Sequence, residues 1–324
     1  MTHAARPWLW PLVPFYRLGL SLREFQLRAG LKPVQRLRRS VVSVGSLSAG
    51  GAGKTPLVIA LAKALTARGV QVDVLSRGYG RRRRSALPLL VEIHGTAEEF
   101  GDEPLEIARA THAPVYVAAE RFDAGLLAER SAIAGVHLLD DGFQHRQLWR
   151  DVDVLQVSGA DLTDHLLPAG NLRETLHAAE RASIIAIPAE EPELAEQIRS
   201  RGWQAQVWSL RRHVDVPLLD GPAAAFCGIA RPEQFFARLR GADVQLRECI
   251  AMPDHHFYTA ADLARIEDKA RKAGATVLLT TMKDFVRLGE FSSTLPLKAV
   301  PLQCEIVNET AAIDWLIDHV RGPR

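Results

Sequence analysis

From Val41 onward, short apolar runs alternate with stretches of helical period, the pattern of parallel strands joined by crossover helices. Strands are expected at Val41–Val44, Val70–Leu75, Val115–Ala118, Val136–Leu139, Val152–Val157 and Ile184–Ile187, with helices such as Pro56–Arg68 and Pro104–Ala110 between them. A second set follows, with strands at Gln206–Leu210, Ala223–Cys227, Thr276–Thr280 and Leu297–Val300 and helices at Pro232–Arg240, Ala260–Lys272 and Thr310–Val320. The expected fold is α/β: a mostly parallel sheet flanked by helices, then a second, smaller α/β lobe, the two joined between Pro188 and Pro222.

The first forty residues follow another pattern. Trp8, Leu9, Trp10, Leu12, Val13, Phe15, Leu18, Leu20, Leu22, Phe25 and Leu27 are interleaved with charges, and Pro11 and Pro14 place the start of a helix near Phe15. On that helix Arg17, Ser21, Glu24 and Arg28 form one narrow polar stripe, and apolar side chains cover most of the rest. A spanning helix needs roughly 18 or more uncharged apolar residues, which Arg17 and Arg23 prevent, so the pattern is that of a helix lying in a membrane surface. The competing reading is a helix that packs on the protein's own core.

Charge sharpens this picture. The arm carries eight cations against Glu24 alone, a net of +7 in a chain whose formal net charge is +2, so the remainder carries −5. A basic arm on an acidic body implies an anionic surface as partner, and its continuous greasy face favours lipid over nucleic acid. The apolar fraction of 47% is that of an ordinary globular protein. Cys227, Cys249 and Cys304 are widely spaced and supply neither a disulfide framework nor a zinc site.

Chemistry enters at the end of the first strand. Ser48-Ala49-Gly50-Gly51-Ala52-Gly53-Lys54-Thr55 stands between a strand and a helix and fits the phosphate loop GxxxxGK[ST], with serine in the first position. In such a loop the backbone N–H groups wrap a polyphosphate, Lys54 neutralises its outer charges and the Thr55 hydroxyl ligates magnesium. A carboxylate at the end of a neighbouring strand completes the metal site, and Asp140 or Asp141 supplies it. Three further polar clusters, Ser76-Arg-Gly-Tyr-Gly80, Gly101-Asp-Glu-Pro104 and Leu167-Pro-Ala-Gly-Asn-Leu-Arg-Glu174, each read alone as ordinary loops.

Taken in order with the phosphate loop, the run Asp140-Asp-Gly-Phe-Gln-His145 and Met252-Pro-Asp-His-His256, these clusters give a chain that resembles the tetraacyldisaccharide 4′-kinase family, the lipid A kinases of Gram-negative bacteria. The resemblance runs from the arm to Thr281-Met-Lys-Asp284, and Ser48 agrees with it. Asn171 stands where the family pattern has proline, and Met282 where it has glutamate. The resemblance implies transfer of the ATP γ-phosphoryl group, with Mg²⁺, to the 4′-hydroxyl of a tetraacylated glucosamine disaccharide 1-phosphate. It implies Asp102 as base with His255 as its partner, Lys54 and Asp141 as further catalytic groups, and Thr55, Asp140, Asp141 and Glu174 around the metal. Arg77, Tyr79, Arg121, Gln144, His145 and Arg173 fall in motifs that surround the lipid substrate's head.

The implied organisation is a membrane-binding arm (1–40), a P-loop kinase domain (41–205) and a C-terminal α/β lobe (206–324). The implied partners are the lipid substrate and the anionic inner-membrane surface, with no nucleic acid and no obligate protein partner. The implied place is peripheral, on the cytoplasmic face of that membrane. The rivals are a P-loop GTPase or metallochaperone, which Thr280-Thr-Met-Lys-Asp284 opposes by lacking the spacing of [NT]KxD, and a soluble small-molecule kinase, which leaves the arm unexplained.

Overall fold

The computed structural model describes residues 6–50, 53–82, 87–131, 135–289 and 293–321. Gly51 and Ala52 of the phosphate loop lie outside the described residues, as do Arg83 and Arg84 of the arginine run.

A short 3-10 turn, Pro7–Leu12, leads into α1 (Val13–Arg28). The helix starts two residues before the expected Phe15, because Pro14 falls in its first turn, where the missing N–H costs nothing. The first lobe is then built on β1 (Ser40–Ser46), β2 (Val72–Ser76), β3 (Leu89–Leu90), β4 (Val115–Val117), β5 (Val136–Asp140), β6 (Val152–Gln156), β7 (Ile184–Pro188) and β8 (Gln206–Val214). A second sheet follows with β9 (Ala223–Cys227), β10 (Leu246–Ala251), β11 (Val277–Thr281) and β12 (Leu297–Val300), before β13 (Leu302–Ile306) returns to the first. The larger sheet runs β13-β8-β7-β6-β1-β5-β2-β4-β3, and the smaller β10-β9-β11-β12. Only the edge pairs β13–β8 and β3–β4 are antiparallel among the described ladders.

The helices after α1 are α2 (Lys54–Ala67), α3 (Ala97–Phe100), α4 (Asp102–Thr111), α5 (Arg121–Arg130), α6 (Gly159–Thr163), α7 (Leu194–Ser200), α8 (Pro232–Gly241), α9 (Ala260–Lys272), α10 (Met282–Leu288) and α11 (Glu309–Arg321). Strands β1, β2, β5 and β6 are buried along their whole length, as expected of a parallel sheet covered on both faces. Val42, Val44, Leu57, Leu61, Leu105 and Leu316 belong to the core on one face, and Leu155, Ile185, Phe143 and Trp203 to that on the other.

The expected boundary at 205/206 does not coincide with the division between the sheets. Gln206–Val214 pairs in parallel with β7, β13 pairs with β8, and α11 packs against α2 and β1, where Ser40 Oγ donates to the Val320 carbonyl at 2.8 Å. Residues on both sides of the second sheet therefore belong to the first lobe. Burial along β8 alternates because it lies near the sheet's edge, and that half-buried text resembles the start of a new unit.

Neither expectation for the arm describes it fully. Tyr16, Leu20, Arg23, Glu24 and Leu27 are half-buried against the first lobe, and no residue of α1 is buried. Tyr16 Oη donates to the Arg173 carbonyl at 2.9 Å, Arg23 donates to the Gln144 carbonyl, and Glu24 pairs with Arg146 and Arg28. The helix is seated by a mixed face, while Trp8 (74% exposed), Phe15 (72%) and Leu18 (67%) point outward with Leu22 and Phe25.

Candidate active site

The C-terminal ends of β1, β2 and β5, the starts of α2 and α5, and the loops of the second lobe enclose a cleft of about 850 Å³. The buried strand β1 delivers the chain to its phosphate loop, and Gly53 caps α2 with φ +69°, a left-handed conformation suited to glycine. A Cβ there would also stand 3.1 Å from the Arg212 guanidinium. Lys54 and Thr55 open α2, so the helix's free N–H groups and positive end face the cleft. Ser48 is buried, and the loop is held from behind: Ala49 N–H donates to the Asn171 carbonyl at 2.8 Å, and Arg173 N–H to the Leu47 carbonyl at 2.8 Å. The sequence cluster ending at Glu174 is thus the backing strap of the phosphate loop.

Asp140 ends β5, and Gly142 turns the chain where a Cβ would lie 2.4 Å from the Leu139 side chain. The two neighbouring carboxylates are held in opposite ways. Both oxygens of Asp141 take Arg173, at 2.9 and 3.0 Å, and Lys54 Nζ is 3.6 Å away. Burial alone would raise the Asp141 pKa, but Lys54, Arg173 and Arg121 outweigh it and hold the carboxyl down at about 2. Asp140 accepts from Ser76 Oγ at 3.3 Å through Oδ2, while Oδ1 is buried and has no partner. Burial, Glu103 and Asp141 push it up to about 7 against Lys54 and Lys283.

Such an orphaned carboxylate, lining the same cleft as Thr55, fits a magnesium ion. No group of three His, Cys, Asp or Glu gathers as a metal cage among the described residues. That suits an ion held by one or two protein oxygens plus phosphate and water. Glu174 is not on the cleft wall: its Oε2 accepts from Arg181 Nη2 at 2.9 Å, and Oε1 is buried without a partner.

Arg77, Tyr79, Arg121, Gln144, His145 and Arg173 all line the cleft. Arg121 is buried with its Nε unpaired, and burial followed by the neighbouring Arg77 lowers its pKa. Burial, then Arg121, Arg150, Arg23 and Arg77, lower the His145 pKa to about 4, so its imidazole is neutral at pH 7. Burial is the first cause of that shift, and the guanidinium groups gathered around it have the chemistry that suits an anion.

Across the cleft, Asp102 opens α4 after Gly101, whose φ of +90° and close approach to the Tyr79 carbonyl (2.7 Å from a would-be Cβ) exclude a side chain. His255 adopts φ +55°, fixed by its N–H donating to the Gly228 carbonyl at 3.1 Å, and its Nδ1 lies 3.2 Å from Asp102 Oδ2. The expected pair therefore forms between the lobes, with His255 on the cleft wall and Asp102 buried behind it. Burial raises the Asp102 pKa, yet the His255 hydrogen bond and the Arg287 and Lys283 charges hold it well below the usual carboxylate range. The same hydrogen bond raises that of His255. His256 faces away and meets Asp262 at 3.1 Å.

A profile described as Tetraacyldisaccharide-1-P 4'-kinase matches residues 5–321. The chain belongs to the tetraacyldisaccharide 4'-kinase family. It is 39% identical over 321 residues to the tetraacyldisaccharide 4'-kinase of Koribacter versatilis, covering 95% of this chain and 97% of that one, and 38% identical over 296 residues to that of Geobacter metallireducens, covering 86% and 88%. The crystal structure of the apo form of LpxK from Aquifex aeolicus in complex with ATP superposes with a TM-score of 0.79 at 30% identity, covering 97% of this chain and 99% of that one.

Sequence reading of this kinase missed several cleft residues. Arg23 reaches in from the arm, hidden because its neighbours read as a lipid-facing helix. Arg212 comes from β8, at the point where the lobe boundary was misplaced; its Nη2 donates to Gln156 Oε1 at 3.1 Å, and Gln156 Nε2 donates to the Gly53 carbonyl at 3.2 Å. The two departures from the family pattern also find places. Asn171 Nδ2 donates to Asp164 Oδ2 at 2.9 Å, Met282 lines the cleft, and Lys283 beside it pairs with Glu103 across the lobes.

Proposed function

We propose that this ATP-dependent kinase transfers the γ-phosphoryl group to the 4′-hydroxyl of a tetraacyldisaccharide 1-phosphate lying in the interlobe cleft, with Asp102 as the base. The observation that carries the reading is the opposition, across one cleft, of the described phosphate-loop residues Ala49, Gly50, Gly53, Lys54 and Thr55 and an Asp102–His255 pair. In the step, the O–H bond of the hydroxyl breaks and its proton passes to the Asp102 carboxylate. The oxygen bonds to the γ-phosphorus as the bridge to the β-phosphate breaks, and ADP leaves. Because the carboxylate is weakly basic, the proton moves late, which a loose transition state permits.

Lys54 and the N-terminus of α2 hold the outer phosphates, and Arg212 stands over Gly53 to add charge there. Asp140 and the Thr55 hydroxyl would hold magnesium, which supplies neutralisation of the phosphate oxygens when bound. Asp140 is favoured over Asp141 because it has an oxygen to spare, whereas Asp141 is spent on Arg173 and Lys54. Glu174, held by Arg181 and off the cleft wall, would join that set only by leaving that partner. Arg77, Arg121, Arg173 and Arg23 meet the substrate's phosphate and sugar head.

The substrate's four acyl chains stay in a membrane, so the enzyme must come to it. No described helix is long and apolar enough to cross a membrane. The outward apolar face of α1 suits immersion at the headgroup boundary on the cytoplasmic side of the inner membrane, with the arm's cations on anionic lipid. The decisive assay is thin-layer detection of labelled γ-phosphate on the lipid disaccharide with Asp102→Asn beside the wild type. Turnover is expected to fall by roughly 10²–10⁴-fold with ATP binding retained, and wild-type turnover in the variant would remove the base role.

A further inference from the structure

Arg287, on the last turn of α10, crosses from the second lobe to the carboxylate on α4. Its Nε donates to Asp102 Oδ2 at 2.9 Å, and its Nη2 meets the same oxygen. Nη1 donates to the Gly228 carbonyl at 2.8 Å and to Asp284 Oδ1 at 3.0 Å. Asp284 is itself immobilised, accepting from Gly228 N–H at 3.0 Å, Tyr258 Oη at 2.9 Å and Thr281 Oγ1 at 2.6 Å. The guanidinium is thus pinned on one side by the second lobe's framework and grips the first lobe's carboxylate with the other. Both partners are almost fully buried.

The pattern of donors on Asp102 is unequal. Arg287 Nε, Arg287 Nη2 and His255 Nδ1 all converge on Oδ2, while Oδ1 is buried and has no hydrogen-bond partner. A carboxylate that served only as a lobe-to-lobe clasp would be expected to share a planar fork between its two oxygens, the bidentate geometry that arginine favours. Here one oxygen carries all the restraint and the other keeps its full accepting capacity. The Tyr79–Gly80 turn covers the free oxygen, with a Cβ at Gly80 placed 3.8 Å from it, so Oδ1 meets a substrate only once that turn gives way.

We propose that Arg287 is a positioning residue of the phosphoryl transfer, holding Asp102 through Oδ2 so that Oδ1 is the oxygen left to accept the proton of the substrate hydroxyl. This deepens, and rests on, the role proposed for Asp102. It also makes the orientation of the base conditional on α10 lying against α4, which places a second-lobe residue in control of first-lobe chemistry. The charged groups around Asp102 are Arg287 and Lys283 on α10, His255 and Asp254 on the loop after β10, and Glu103 and Glu106 on its own helix.

The test uses the full-length enzyme with ATP, Mg²⁺ and detergent-solubilised tetraacyldisaccharide 1-phosphate, comparing Arg287→Met, Arg287→Lys and Asp102→Asn. For Arg287→Met, kcat should fall by roughly 10–100-fold with KM for ATP within about twofold, since the oxygen that reacts is no longer fixed. The acid limb of log kcat/KM should also move up by about 1 pH unit or more, because the cation beside the carboxylate is gone. Arg287→Lys keeps the charge but not the fork, so the limb should stay in place while kcat falls by only about 3–10-fold.

A purely structural arginine would lower the folded fraction and leave the kcat per folded enzyme unmoved, even though loss of its charge still moves the limb; that result, or wild-type kinetics in Arg287→Met, overturns the proposal. Removing one partner of a buried pair is strongly destabilising. Should Arg287→Met fail to fold, Arg287→Lys decides, and wild-type kcat in it counts against the proposal. Asp102→Asn separates the two readings. If it retains turnover the base itself is wrong, whereas if it is inactive and Arg287→Met is not, only the role of Arg287 falls.

Discussion

Where the phosphate loop meets the cleft, Lys54 stands 3.6 Å from Asp141, whose side chain keeps 33% of its surface exposed. On the opposite wall, Asp102 and Arg287 meet with side chains 3% and 2% exposed and with Asp284 and His255 closing the contact. The first arrangement is partly hydrated, so its ion pairs exchange partners at small cost, and incoming phosphates can take Lys54 from Asp141. The second is desolvated, and breaking it strands a buried charge. One wall is built to let go and the other to stay assembled, as the proposed roles require of a wall that binds and releases a nucleotide each turnover and one that presents a single oxygen in one place.

Lys54→Met tests the exchangeable wall most severely. Loss of the cation on the transferring phosphoryl group should cut transfer on the order of 10²–10³-fold. Asp141 keeps Arg173 at 2.9 and 3.0 Å, so the thermal midpoint should move by no more than about 2 °C. A radiolabel transfer assay paired with thermal melts reads both. A variant that melts far lower would show that this wall is as structural as the other, and the contrast would fail.

The assembled wall carries its own weak point in Glu106, which is buried with Oε2 unpaired. Burial, ahead of the opposing Lys283 charge, raises its pKa from 4.5 to about 7. The folded value lies above the unfolded one, so the neutral acid favours folding: its contribution is full below about pH 4.5 and is lost as pH rises through 7. Glu106→Gln should therefore leave stability unchanged near pH 4.5 and raise it by at most about 3 kcal/mol above pH 8. Urea midpoints at the two pH values measure this, and an equal gain at both would assign the effect to packing and not to charge.

How far these walls could be read from the sequence follows from how each is built. The phosphate loop is contiguous: eight residues from Ser48 to Thr55, between a strand and a helix, state their chemistry by order alone, and Asp140 follows an apolar strand that had to end at the same sheet edge. The other wall joins residues 102, 255, 284 and 287, whose meeting depends on two lobes docking. Resemblance to a family supplied Asp102 and His255, but Arg287 lies in an ordinary amphipathic turn and no local pattern singles it out. Strand β8 was assigned to the wrong lobe and the edge strand β13 was not expected at all for a related reason, since pairing partners nearly a hundred residues apart leave no mark on local hydrophobic period. Arg23 was hidden by the opposite effect, a strong local pattern that assigned the whole arm to lipid.

That arm belongs to the exchangeable wall, and it offers the finest test of the contrast. Its seat is made by Tyr16, Arg23 and Glu24 on Arg173, Gln144 and Arg146, whereas Phe15 and Leu18 touch solvent. Replacing both outward residues, Phe15→Glu with Leu18→Glu, removes apolar area without touching the seat. Each side chain contributes about 1.5–3 kcal/mol when fully buried, and partial immersion makes a tenfold loss of vesicle binding a modest expectation, roughly 1.4 kcal/mol. Transfer to substrate embedded in anionic vesicles should fall by about the same factor, while transfer to detergent-dispersed substrate should stay within about twofold. Unchanged flotation with vesicles would remove the membrane role of this face. An equal loss in detergent would instead mean that the helix acts through its seat, carrying strain to Arg173 and so to the carboxylate that shares Lys54, and the wall described as exchangeable would then be one that the arm helps to set.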